Sequence, residues 1–352
     1  MPPKKKFALP IIVTIIILTT LGLAIWLDQQ NSPTTVISTA SQLVTEQIPQ
    51  PIPLGGDLAQ AKAEISGLAW YQDQLIFLPQ YPDFADGTPF VYALSRDAIL
   101  AYLDETDTAP LTPTPIPINT ADIAALIPHF QGFEGITISG HSGWLTIEAG
   151  SPIGHMNGYI LPFDIIPDPL AFNLRQADIT EILLQTTLSN KANEAVLTTP
   201  DGALTLYEVY DGRYNTTSVA NLITADSNQT IPAPELAYRL TDVTELDENG
   251  RFWAINYYFP NDQELAQTDE TLAQQYGQGH SHSQHPHVER LIPYLYNNQT
   301  LQLDTQTTPI WLQLEENPRN WEGIARLDER GFLIVTDKFP STLFAFVPYP
   351  KE

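Results

Sequence analysis

The sequence predicts an all-β fold of the propeller type, from a repeated hairpin, the spacing of its copies, and the composition. The clearest copy runs Phe133-Glu134-Gly135-Ile136-Thr137-Ile138, turns, and returns as Trp144-Leu145-Thr146-Ile147-Glu148. Two apolar runs joined by turn residues mark an antiparallel strand pair. The pattern recurs from Glu194 to Glu208, Asp242 to Asn256 and Glu322 to Asp337, and in neutral form from Ser66 to Gln80. Opening and closing residues lie 14 apart in four copies and 15 in the fifth, a constancy expected of one structural unit used repeatedly. Intervals of 48 to 80 residues leave room for two further strands per copy, such as residues 90–94 and 158–163. The 30 prolines and only 16% charged residues suit many short strands and turns better than long helices.

Taken in order, residues 1–27 read as a transmembrane anchor or a signal segment. Lys4-Lys5-Lys6 precede an apolar run of 21 residues from Phe7 to Leu27, enough to cross a bilayer core. The lysines then stay cytoplasmic, and the rest of the chain is extracytoplasmic, at the cell membrane or secreted after cleavage. Residues 28–46, polar and without apolar period, read as a flexible tether. Residues 47–350 form the propeller domain. The proline-spaced stretch 47–54 resembles 113–118, which precedes the second copy and reads as an outer strand. The last copy lacks such a strand after it, so 47–54 is expected to join it and close the ring. Five blades follow, or six if a degenerate blade hides between 242 and 322. That interval carries an insertion at 261–289, with a short helix expected over 262–276 and a histidine-rich loop, His280, His282, His285 and His287, read as solvated surface or a metal site.

Charge narrows the function. With 41 acidic against 16 basic residues the net charge is −25, a field that repels nucleic acid. The absence of cysteine excludes disulfides and thiolate chemistry. No G-x-S-x-G elbow, P-loop or H-E-x-x-H motif is present.

In a propeller the opening and closing residues of the inner hairpin share one face. This gathers Glu134, Glu194, Asp242 and Glu322 at the mouth of the central channel, with Glu148, Glu208 and Asp337 a strand further out. Carboxylates so converged must bind a cation, take up protons or pair with arginine. Basic residues are scarce, and oxygen-only ligands suit Ca²⁺ or another hard divalent ion, so these seven acids are the candidate metal ligands. Glu134 and Glu322 are also the catalytic candidates, with His155, which follows Glu148, as a general base. Alternatively, the acids hydrogen-bond neighbouring backbone amides and brace the ring.

The run of Ser66-Gly67-Leu68, Phe133-Glu134-Gly135-Ile136 with Glu148, Glu194 with Glu208, Thr241-Asp242-Val243, and Trp321-Glu322-Gly323-Ile324-Ala325 with Asp337 resembles the family described as esterase-like activity of phytase. The E-G element is also similar, over a shorter stretch, to gluconolactonase and regucalcin propellers, in which such a Glu ligates a divalent metal. The first resemblance covers residues 60–349 and implies an exported propeller hydrolase acting on a small phosphate or carboxylic ester. The chain departs from it in having Thr336-Asp337-Lys338 where S-D-N is usual, which brings an ammonium near the expected cation. A non-catalytic envelope propeller binding a ligand, glycan or protein partner at the same mouth is the alternative.

Overall fold

The computed structural model describes residues 43–351, except 61, 121–122, 152–153, 183, 187, 216, 225, 268–269 and 340. The expected anchor at 1–27 lies outside the described residues, as does the tether up to 42. No helix among the described residues is long and apolar enough to cross a membrane.

Two short strands, β1 (Leu43–Val44) and β2 (Gln50–Pro51), lead into five groups of antiparallel strands. The first group is β3 (Ile65–Tyr71), β4 (Gln74–Pro79), β5 (Phe90–Ser95) and β6 (Thr114–Asn119). The second is β7 (Phe130–Ser139), β8 (Ser142–Gly150), β9 (Met156–Pro167) and β10 (Leu170–Leu174), with β11 (Thr180–Ile182) also on β9, and parallel pairing of β10 with β6 joins it to the first. In the third, β12 (Asn193–Thr199) and β13 (Gly202–Tyr207) are followed by β14 (Val209–Tyr210), which pairs onward, then by β15 (Val219–Ile223) and β16 (Asn228–Pro232). The fourth is β17 (Leu236–Val243), β18 (Arg251–Tyr258), β20 (Val288–Asn297) and β21 (Thr300–Leu303). It is interrupted by β19 (Gln278–Gly279), and β22 (Ile310–Trp311) also pairs with β20. The last group holds β23 (Trp321–Leu327), β24 (Gly331–Thr336) and β25 (Phe344–Pro348), and β2 completes it through Gln50 opposite Phe346 and Pro51 opposite Ala345. The innermost strands neighbour one another in a closed cycle, β3 to β7 to β12 to β17 to β23 and back to β3. This is a propeller, closed by its N-terminal strand, which covers the edge that β25 would otherwise expose.

Each pair of neighbouring groups encloses its own apolar cluster. Phe133 and Ile76 meet between the first and second groups. Val196 and Ile160 lie between the second and third, Leu206 and Leu240 between the third and fourth. Trp253 and Phe332 fill the next seam, and Phe77 and Phe344 close the circle. Both faces of each sheet are therefore buried, which is why Leu75-Ile76-Phe77-Leu78 and Phe332-Leu333-Ile334-Val335 are continuous apolar runs rather than alternating ones.

The insertion differs from expectation. Its helix shrinks to a 3-10 turn at Gln263–Leu265 and one short helix, α1 (Thr271–Tyr276). The histidine loop is not simply solvated: His282 and His287 are buried. The end of the expected tether is fastened down there, with β1 pairing in parallel with β19. Glu46 accepts hydrogen bonds from Ser281 N (3.1 Å) and Ser281 Oγ (2.6 Å) and lies 2.8 Å from His282 Nδ1.

Candidate active site

Every opening residue of the repeat is a β-bulge. Pairing on the inner strand skips Ser66, Glu134, Glu194, Thr241-Asp242 and Glu322. A bulged residue leaves the ladder and its side chain is re-aimed, which explains why Glu134, Glu194 and Glu322 turn toward the axis. Hydroxyls brace the bulges between groups: Ser66 Oγ donates to Phe133 O (2.6 Å), Thr146 Oγ1 to Glu194 O (2.8 Å) and Thr241 Oγ1 to Trp321 O (2.7 Å). Glycine follows Glu134 because the next inner strand packs close. A Cβ on Gly135 would stand 2.3 Å from Glu194 O.

The bulges bring together Glu134, Glu194 and Glu322, with Glu148, Glu208 and Asp337 close enough to influence them electrostatically. At their centre stands Arg239. Its Nη2 lies 3.4 Å from Glu194 Oε1 and 3.6 Å from Glu322 Oε1, and its Nε contacts Glu208 directly. Lys191 Nζ adds a second cation 3.4 Å from Glu208 Oε1. The scarcity of basic residues predicted no such partners. Their signal was nonetheless present, since Lys191, Arg239 and Arg319 each stand three residues before an opening acid. Arg319 takes another carboxylate, Glu289, which also accepts from Trp321 Nε1 at 2.7 Å.

Carboxylates outnumber these cations, and their acidities shift accordingly. Burial, reinforced by neighbouring acids, pushes Glu134 and Glu194 well above the usual carboxylate range despite the hydrogen bond from Gln80 to Glu134 (2.9 Å). Glu148 rises to about 7 through burial and then the charge of Glu208. Glu322 rises to about 8 through burial, although Arg239 and the amide of Asn320 (2.6 Å) oppose it. Burial works against the charge of Arg239, but Glu208, Glu194 and Glu322 hold it firmly protonated.

Other candidates stand apart from this arrangement. Asp242 is fully buried and accepts from Ile324 N at 2.8 Å, so it braces the ring. Asp337 accepts from Phe339 N at 2.7 Å, and burial raises it. Lys338, the ammonium of the departing motif, turns away to Glu64 (2.9 Å). His155 is folded into its own loop, its backbone N–H donating to Ser151 Oγ at 3.1 Å, and its ring makes no ion pair with the carboxylates among the described residues. No group of three or more His, Asp or Glu among the described residues is disposed to hold a metal ion.

Arg239 is held in place by unusual backbone. Tyr238, just before it, has φ +73°, a left-handed conformation that costs a non-glycine residue about 1–3 kcal/mol. Asn256 Nδ2 donates to the carbonyls on either side, Ala237 O (2.9 Å) and Arg239 O (2.8 Å). Asn256 Oδ1 accepts from Arg290 Nε (2.8 Å), and Arg290 is bidentate to Glu270 at 2.9 and 3.0 Å. The closing residue of the fourth copy thus positions the central guanidinium, and the insertion backs it.

The chain matches no protein-family model and no curated protein, so its likeness to the phytase family remains a resemblance of motifs. Among solved structures it is similar to a GH43 endo-arabinanase from Bacillus licheniformis, with TM-score 0.46 and 8% identity over 85% of this chain and 97% of that one. It is also similar to a soluble aldose sugar dehydrogenase from Escherichia coli, with TM-score 0.42 and 7% identity over 84% and 98%. A glutaminyl cyclase from Myxococcus xanthus gives TM-score 0.38 and 9% identity over 88% and 97%. Likenesses this remote say nothing of chemistry, which has to be argued from the residues themselves.

Proposed function

We propose that the chain is a five-bladed propeller hydrolase that cleaves carboxylic esters at the acidic end of its axis, using Glu322 as proton donor beside Arg239. The observation that carries this reading is Glu322 itself: raised to about 8, 13% exposed, and 3.6 Å from a guanidinium. A carboxyl that keeps its proton at neutral pH can give it to a leaving oxygen. A fixed guanidinium supplies N–H donors where negative charge develops. Glu148, raised to about 7, is the partner suited to exchange a proton with water. Phosphate esters fit less well, because Arg239 and Lys191 are already shared by Glu208 and Asp262, which leaves neither cation unpaired for a dianion. The divalent ion expected from the sequence does not fit either: a guanidinium stands among its would-be ligands, and we assign the neutralising role to Arg239.

Export by residues 1–27 belongs to the same reading. One observation favours a non-catalytic binding module instead: a cavity of about 320 Å³ lies off the axis against Tyr210, Glu235, Gln267 and Leu272. Assaying the full-length chain with p-nitrophenyl acetate and p-nitrophenyl phosphate, with and without chelator, separates the two. The acetate should turn over regardless of chelator, and Glu322→Gln should slow it about 100-fold or more. Absence of acyl-ester turnover, or turnover indifferent to Glu322→Gln, would overturn the hydrolase.

A further inference from the structure

The insertion sends one carboxylate to the acidic end, Asp262, and holds it differently from the rest. Asp262 Oδ2 lies 3.8 Å from Lys191 Nζ and 4.0 Å from Arg239 Nη1. These are ion-pair separations beyond hydrogen-bonding reach. Oδ2 is shut off from water, yet has no hydrogen-bond partner among the described residues. The same two cations share Glu208, whose side chain is completely buried. Asp262, at 20% exposure, is the most open of the acids on these cations, against 11% for Glu194 and 13% for Glu322. It sits in a tight turn, with Leu265 N donating to Asp262 O (2.8 Å), and that turn is tied at its far side by Arg213 Nη1 to Ala266 O (3.0 Å). The loosest and outermost carboxylate therefore belongs to a surface insertion, whereas Glu208 closes the inner strand pair.

We propose that Lys191 and Arg239 form a carboxylate-binding subsite, that Asp262 is its internal occupant, and that a carboxylate on the substrate takes its place. The inference rests on the acidic end being the substrate site, and narrows the substrate to an ester that also carries a free carboxylate. The exchange keeps the charge constant, one carboxylate leaving as another enters, whereas a phosphate dianion would bring one negative charge more than Asp262 takes away. An ammonium beside a planar guanidinium suits two carboxylate oxygens.

The test is calorimetric titration of the full-length chain with benzoate, and with benzamide as the uncharged control. Asp262→Asn keeps the size of the side chain and removes its charge, and Asp262→Ala empties the position. Both should bind benzoate at least 10-fold more tightly than the native chain, about 1.4 kcal/mol, and neither should gain affinity for benzamide. Adding Lys191→Met to Asp262→Asn should abolish the gain. Unchanged benzoate affinity in variants that keep a cooperative thermal transition, or an equal gain for benzamide, overturns the subsite. Because the readout is binding, a chain that holds benzoate but cleaves no ester sinks only the hydrolase. A chain that cleaves esters while Asp262 leaves benzoate affinity unmoved sinks only the subsite.

Discussion

Glu194, at the centre of the ring, and Glu270, at the base of the insertion, each have a side chain 11% exposed, yet their carboxyls shift in opposite directions. Burial works on both alike. Glu270 overcomes it with a bidentate Arg290 at 2.9 and 3.0 Å and two N–H groups of α1, from Leu272 (3.1 Å) and Ala273 (2.7 Å). Glu194 has one guanidinium nitrogen at 3.4 Å, shared with Glu322, and its Oε2 has no hydrogen-bond partner among the described residues. Burial raises both, and the supply of donors set against the charge of neighbouring acids decides the sign. The rim is built to hold shape and the axis to hold protons.

The largest effect should come from removing the shared cation. Arg239→Met leaves Glu208 buried without its closest partner, and breaking a buried pair in this way costs about 3–5 kcal/mol. The cost should be larger at pH 8 than at pH 5, where Glu322 and Glu148 hold their protons and lose less with the guanidinium. Urea unfolding at the two pH values reads this directly. Equal losses at both would mean that the axis behaves like the rim.

Next in size is the rim itself. Glu270→Gln strips Arg290 of its charge partner and should cost about 2–3 kcal/mol at pH 7, whereas Glu194→Gln, replacing a carboxyl that already holds its proton, should cost less than about 1 kcal/mol. Midpoints from one urea series suffice. Through Arg290 and Asn256 the rim substitution should also loosen the Tyr238 backbone and lower ester turnover, although Glu270 is no part of the chemistry.

The ring of hairpins was legible because a nearly fixed offset of 14 or 15 between opening and closing residues reports a fixed bulge and turn, and because 47–54 reads like the outer strand it becomes, β2 beside β25. The partner of the acids was not legible in the same way. Arg239 belongs to the repeat only as a residue three before Asp242, and its aim depends on Tyr238 at φ +73° and on Asn256, features without a local signature. The clamp on Glu46 was equally hidden. Two residues of parallel pairing and a histidine 236 positions away leave no pattern in the neighbouring sequence.

The change of stability with pH tests proton storage on the axis most cleanly. Glu148 titrates near 7 when folded, and 4.5 is its ordinary value, so below pH 4.5 both states carry the proton. Between 4.5 and about 7 the unfolded chain releases it while the folded chain retains it. Stability is therefore lost as pH rises through that window, by at most about 1.4 kcal/mol per pH unit, and is flat above it. Glu148→Gln cannot titrate, so its urea midpoint should fall less steeply than the native one between pH 5 and 7, and the curves should run parallel above pH 8. Glu270 should behave in the reverse sense, its lowered pKa adding stability that is lost only in acid. Parallel native and Glu148→Gln curves across the whole range would show that the axis stores no proton there, and the contrast between the two carboxylate groups would then reduce to geometry alone.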